Sequence, residues 1–139
     1  MGLIRAGYTK LTPMDDDKPT PYLWKVLREI IKTAIENKQN LIIEGCYIPF
    51  NWAEDFDDGY LASIKYVCLI MSEDYINKNL DLIISKAYVV ESRISDDIDA
   101  GELIKENKYN LEMCKQNNCR YMLISNDYAA EMEKQFVFL

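Results

Sequence analysis

The chain has 139 residues, 49% of them hydrophobic and 28% charged, with a formal net charge of -7; this predicts one folded domain, residues 1–139, without nucleic acid as a main partner. No apolar run approaches the ~18 residues of a membrane span and Met1 opens no secretory signal, so a cytoplasmic protein with no membrane partner is expected. The chain has no histidine, which excludes a Ser-His-Asp triad, a histidine-assisted cysteine nucleophile and histidine-ligated zinc, and leaves acid–base work to carboxylates.

Met1 to Tyr8 is mildly apolar, with Arg5 as its one charge. Thr12-Pro13 and Pro19-Thr20-Pro21 bracket Asp15-Asp16-Asp17-Lys18, which predicts a loop, because prolines break a helix and the acids cannot form a core. The Asp triplet is either a solvated turn or a divalent-cation binder. Thr20 can cap a helix with Pro21 at its first position. Leu23, Val26, Leu27, Ile30, Ile31 and Ala34 follow at helical spacing, with Lys25, Arg28, Glu29 and Lys32 on the opposite face. The helix is expected to end near Asn37.

Leu41, Ile42 and Ile43 form a continuous apolar run, which predicts a strand buried on both faces, as in a parallel sheet. Glu44 then falls at the strand's C-terminal end, where α/β folds place their sites, and Gly45 permits a sharp turn or a close ligand. The alternative for Glu44 is a buried carboxylate bonded to a neighbouring helix N-terminus. Asn51 to Gly59 is acidic and aromatic, with Trp52, Glu54, Asp55, Phe56, Asp57 and Asp58. Ile64 to Met71 predicts a second buried strand, with Val67, Leu69 and Ile70 in the sheet core beside Leu41–Ile43.

Ser72, Glu73 and Asp74 start the next helix, whose apolar face carries Ile76, Leu80, Ile83, Ile84 and Ala87 and which is expected to reach Arg93. Ser95 to Asp99 is an acidic break. Asp99, three residues before Glu102, resembles a capping box and predicts a helix from about Gly101 to Gln116, with Leu103, Ile104, Leu111 and Cys114 facing inward. Tyr121 to Ile124 is a third, shorter strand, and Asn126-Asp127 caps a terminal helix. Cys46, Cys68, Cys114 and Cys119 include no C-x-x-C pair, which favours free thiols over a disulfide framework or a metal site.

Three phrases in this order resemble the P-loop small-molecule kinases, in particular the adenylate-kinase-like, zeta-toxin-like and 2-phosphoglycerate-kinase-like groups. They are Leu41-Ile-Ile-Glu-Gly45, Ile64 to Ile76 with Glu91 and Arg93 beyond it, and Glu106 to Cys114 continuing through Arg120 to Tyr128. The resemblance covers most of the chain from about Thr20. It implies a three-layer α/β fold with a mostly parallel sheet, and a lid over residues 91–102. It further implies ATP-dependent phosphoryl transfer with Mg²⁺ to a small-molecule acceptor. Glu44 would orient Mg²⁺ or its water, and Arg93 would reach phosphates from the lid. Arg5 would contact the acceptor, and Asp15 and Trp52 would line its pocket. In structural terms, Arg93 is instead a solvated helix-end arginine, Arg5 part of a frayed terminus, and Trp52 a packing residue. No protein-held metal site is expected.

The pattern departs from that family in one respect. None of the five glycines forms the G-x-x-x-x-G-K-S/T loop whose backbone N–H groups and lysine cradle the β/γ-phosphates. The expectation is an N-terminally truncated kinase-like domain, inactive and unable to hold Mg²⁺–ATP by itself. In the family, the phosphate-loop strand runs between those equivalent to Leu41–Glu44 and Ile64–Met71. Its absence would leave a slot roughly 10 Å wide, to be closed by direct pairing or by a homodimer. The second hypothesis is a non-catalytic acidic α/β module that holds a partner through Trp52, Phe56 and Tyr60.

Overall fold

In the computed structural model the described residues are 6–7, 9–10, 19–86 and 98–136. They fall in two compact units, Met1–Ile64 and Lys65–Leu139. The chain is mixed α/β and mostly helical, with one two-stranded parallel sheet among the described residues.

The first unit is built on α1 (Pro19–Glu36). The helix begins at Pro19, so Thr20 and Pro21 lie inside its first turn rather than capping it. Prolines are tolerated there because the first-turn N–H groups have no helical acceptor. The buried residues of α1 are Trp24 and Ala34, whereas Val26 and Ile30, expected on the inner face, are exposed. The inner stripe instead runs through Trp24, Arg28 and Lys32, one turn apart. A 3-10 turn, Trp52–Asp55, and the short helix α2 (Asp58–Leu61) follow. Asp57 caps α2 by accepting the Gly59 and Tyr60 N–H groups.

The expected strand at Leu41–Ile43 is not formed. Residues 40–44 have neither helical nor strand structure, and Ile42 is 93% exposed and Leu41 46%. A strand holds its polar backbone only by pairing with a neighbour, and among the described residues this run has none. The Leu41 and Ile42 side chains stay outside the core. Gly45, at φ +152, turns the chain after Glu44 in a conformation that side chains disfavour.

The second unit contains β1 (Cys68–Met71), α3 (Glu73–Lys86), α4 (Ala100–Gln116), β2 (Tyr121–Ile124) and α5 (Tyr128–Phe136). β1 and β2 pair in parallel, from Cys68 opposite Tyr121 to Met71 opposite Ile124. The strand expected over Ile64–Met71 is formed only over its second half, Cys68–Met71, with Ile70 buried but Leu69 exposed, whereas the one expected over Tyr121–Ile124 is formed as expected. Tyr75, Met122 and Ile124 form the core, with Val67, Met71, Ile83 and Met132 packed against it. Two predicted caps are in place: Asp99 accepts the Glu102 N–H at 2.8 Å, and Asp127 accepts the Ala130 N–H at 2.7 Å. α3 is kinked at Asn79 (φ -122°). There the Asn79 Nδ2 donates to the Tyr75 carbonyl at 2.9 Å, competing for the acceptor that an unbroken helix offers its own N–H.

One edge of β1 is partly covered. The Cys68 and Ser72 N–H groups donate to Arg120 and Ile124. By the alternation of a strand, the Met71 N–H points away from β2. It donates instead to Asn107 Oδ1 at 2.7 Å, while Asn107 Nδ2 donates to the Leu103 carbonyl at 2.8 Å. This accounts for the one buried polar side chain among the described residues.

Candidate functional site

The acidic–aromatic stretch of the first unit closes on itself. Phe56 is buried, with the rings of Trp24, Trp52 and Tyr60 edge-on at 6.0, 6.1 and 6.3 Å. The Lys32 ammonium lies 5.8 Å from the Phe56 ring centre, within cation–π range. Trp24 Nε1–H donates to Asp55 Oδ2 at 2.6 Å, and Arg28 Nη1–H donates to Asp55 Oδ1 at 2.9 Å. Asp55 thus ties the 3-10 turn to α1 through an indole and a guanidinium. Trp52 packs at the edge of this cluster and keeps partial exposure. The Tyr60 hydroxyl donates to Glu36.

This arrangement has a pH signature. The hydrogen bond from Trp24 does most to hold the Asp55 carboxyl below its usual range; partial burial opposes it, and the charges of Arg28 and Lys32 lower it further. A group with a depressed folded-state pKa adds stability that is complete above its unfolded value and lost as pH falls through the folded one. The tryptophan emission of the first unit should therefore report destabilisation on acidification below about pH 4, and Asp55→Asn should flatten that dependence. An unchanged acid profile in the variant would show that Asp55 does not anchor the turn.

In the second unit, the C-terminal ends of parallel strands are the natural place for a ligand. Here β1 leads into Ser72 and α3, and β2 into Ser125, Asn126 and α5. Side chains of the chain itself already accept from three backbone donors at this edge, the N–H groups of Tyr75, Ser125 and Asn126. Ser72 Oγ accepts the Tyr75 N–H at 3.1 Å. Glu131 reaches back from α5, its Oε2 accepting the Ser125 N–H at 3.0 Å and its Oε1 the Asn126 N–H at 3.2 Å. Glu73 and Asp74 add negative charge in the first turn of α3, and Glu73 pairs with Lys108 at 2.6 Å across exposed surface. A phosphate entering here would have to displace Glu131 and would meet carboxylates, so this edge is no substitute for a glycine-rich cradle.

Of the residues singled out from sequence, Arg5, Asp15 and Arg93 lie outside the described residues, as does most of the lid segment 91–102. Glu44 and Trp52 belong to the first unit. Glu44 is exposed and Trp52 half-buried, so Glu44 does not stand at the end of a buried strand. An open depression of about 430 Å³ runs along α4, lined by Gly101, Ile104, Lys105, Lys108, Tyr109 and Glu112, all from one face of that helix. Among the described residues, no group of three or more His, Cys, Asp or Glu side chains could hold a metal ion, and no helix is long and apolar enough to cross a membrane.

Sequence reasoning missed Trp24 and misassigned Arg28. The i, i+4, i+8 spacing of Trp24, Arg28 and Lys32 was the available signal, a stripe of amphipathic side chains facing an acidic–aromatic loop. It also missed Asn107 and Glu131, whose roles depend on which backbone groups the sheet leaves unpaired. Comparisons with protein-family models, with curated protein sequences and with solved structures found no match.

Proposed function

We propose that the chain is the acceptor-side body of a P-loop small-molecule kinase fold, a three-layer α/β architecture serving ATP-dependent phosphoryl transfer. It would act only together with a phosphate-loop segment that these 139 residues do not include. The observation that supports this reading most is the fate of Leu41–Ile43. In the fold it resembles, this run would pair with the phosphate-loop strand, and here Ile42 is left 93% exposed. The parallel pairing of β1 with β2 is consistent with the same reading. On this proposal Glu44 would orient Mg²⁺ or its water and Arg93 would reach the phosphates of ATP. Arg5, Asp15 and Trp52 would serve the small-molecule acceptor, in a cytoplasmic protein. If a third strand is to add beside β1, Asn107 must release the Met71 N–H that it now holds.

A second reading, an acidic α/β interaction module, draws on the same exposed run, which in a homodimer could pair edge to edge with another copy. It no longer draws on Phe56, whose ring is enclosed by Trp24, Trp52 and Tyr60.

Calorimetry with Mg²⁺–ATP tests the dependence on a phosphate loop. Phosphoryl transfer is catalysed almost entirely by positioning and charge stabilisation, and the sequence contains no G-x-x-x-x-G-K-S/T loop to supply them. The expected result is no detectable binding by this chain alone. A dissociation constant in the micromolar range would contradict the proposal and would point to another phosphate-binding segment.

A further inference from the structure

The two strands of the second unit leave two outer edges, and the edges differ. Across the pair, the Cys68 and Ser72 N–H groups donate to the Arg120 and Ile124 carbonyls. By the alternation of a strand, Met71 on β1, Tyr121 and Leu123 on β2, and Ser125 just past β2 therefore turn their N–H groups outward. The β1 edge is guarded, with Asn107 Oδ1 accepting the Met71 N–H at 2.7 Å. On the other side, Glu131 Oε2 accepts the Ser125 N–H at 3.0 Å and closes the C-terminal end of the β2 edge. Tyr121–Leu123 remains open: among the described residues no hydrogen bond engages the Tyr121 or Leu123 N–H. Both side chains are exposed, at 38% and 44%. An exposed apolar edge of this kind is a template for another strand.

We propose that the Leu41–Ile43 run of a second copy of this chain adds to this edge as an antiparallel strand. The inference rests on the interaction-module reading, names the surface that receives the run, and requires no phosphoryl transfer. The lengths agree, with three residues in the open edge, Tyr121–Leu123, and three in the run. The needs of the two agree as well: among the described residues the run has no strand partner, and Ile42 is 93% exposed. Direction is set by charge. β2 begins after Arg120 and leads to Asp127 and Glu131, whereas the run follows Lys38 and ends at Glu44. An antiparallel arrangement sets Glu44 beside Arg120 and Lys38 towards Asp127 and Glu131. A parallel one would bring like charges together at both ends.

In the register that fits, Leu41 pairs with Leu123 and Ile43 with Tyr121, each pair exchanging backbone hydrogen bonds. Ile42 then stands opposite Met122, and Glu44 opposite Arg120. Leu41 and Ile43 cover the exposed Leu123 and Tyr121 side chains. Ile42 falls on the face that carries Met122 and Ile124 in the core. Each copy carries both a run and an edge, so two copies lend their runs to each other.

Light scattering on a size-exclusion column over a dilution series, joined to amide exchange, tests this on the full chain. The expected result is a mass of two chains that falls to one on dilution, with slow exchange at Leu41, Ile43, Tyr121 and Leu123 in the dimer alone. Ile42→Asp puts a carboxylate beside Met122 and should give a monomer. Ile42 is exposed, so the tryptophan emission should stay that of the folded chain. Leu123→Pro removes an outward N–H, which an edge strand tolerates, and should also give a monomer, with far-ultraviolet circular dichroism unchanged. An equal mixture of the two variants should recover dimers, because one keeps the edge and the other keeps the run. A single-chain mass for the wild type at every concentration would overturn the proposal. So would slow exchange of Tyr121 and Leu123 in a monomer, which would place the run against its own chain. A dimer that survives both variants would also overturn it, while leaving the interaction-module reading in place with a different surface.

Discussion

Phe56→Ala should destabilise the first unit by about 3–5 kcal/mol, the range for truncating a buried aromatic residue. Phe56 is 7% exposed and is the shared contact of three other aromatic rings and the Lys32 ammonium. Its removal opens a cavity and also frees the faces that hold Trp24 and Trp52 in place. A unit of this size buries a modest fraction of its surface, so its whole stability lies near the low end of the roughly 5–15 kcal/mol typical of domains. The loss should therefore leave the unit largely unfolded near room temperature. The readout is direct, because the chain's two tryptophans both pack on this ring. Their emission should shift to longer wavelength in the variant without denaturant. Phe56→Leu, which keeps most of the volume, should retain the folded emission with a lower midpoint. Wild-type emission in Phe56→Ala would mean that α1 and the 3-10 turn hold together without the ring.

Ile124→Ala should cost the second unit about 2–5 kcal/mol. Ile124 is 1% exposed, belongs to the core with Tyr75 and Met122, and accepts the Ser72 N–H at 2.9 Å through its carbonyl. The substitution keeps that backbone bond and removes only side-chain volume, so the expected change is one of packing rather than pairing. This unit contains no tryptophan, so the measurement is thermal unfolding by far-ultraviolet circular dichroism with amide exchange of β1. The variant should show a lower midpoint and faster exchange at Ile70 and Ser72. An unchanged midpoint would place the core elsewhere. Exposed Leu123, one residue away on the opposite face, provides the control, and its alanine variant should change little.

The contrast between the two units shows what was legible in the sequence. β1 and β2 were readable because each is a short apolar run between helices, and the Asp99 and Asp127 caps because a cap depends on residues only three apart. Leu41–Ile43 carries the same apolar signal yet forms no strand, since a strand depends on a partner that its own sequence does not specify. The link from Trp24 and Arg28 to Asp55 spans 31 and 27 residues. Glu54, Asp55, Asp57 and Asp58 are equivalent acids in sequence, and only the geometry of the 3-10 turn selects Asp55. Asn107 was hidden for a related reason: its polar side chain is buried because β1 leaves the Met71 N–H without a strand acceptor. The candidate kinase residues were read through resemblance, which indicates residue type and order but not which side chains meet.

The reading of this chain as the acceptor-side body of a phosphate-loop kinase is tested most directly by sequencing the genomic DNA immediately upstream of the Met1 codon. The account predicts an open frame running into Met1 that encodes an apolar strand followed by G-x-x-x-x-G-K-S/T, the segment beside which Leu41–Ile43 would pair. An in-frame stop codon before any such strand and loop would contradict it, and would leave the interaction module as the better description.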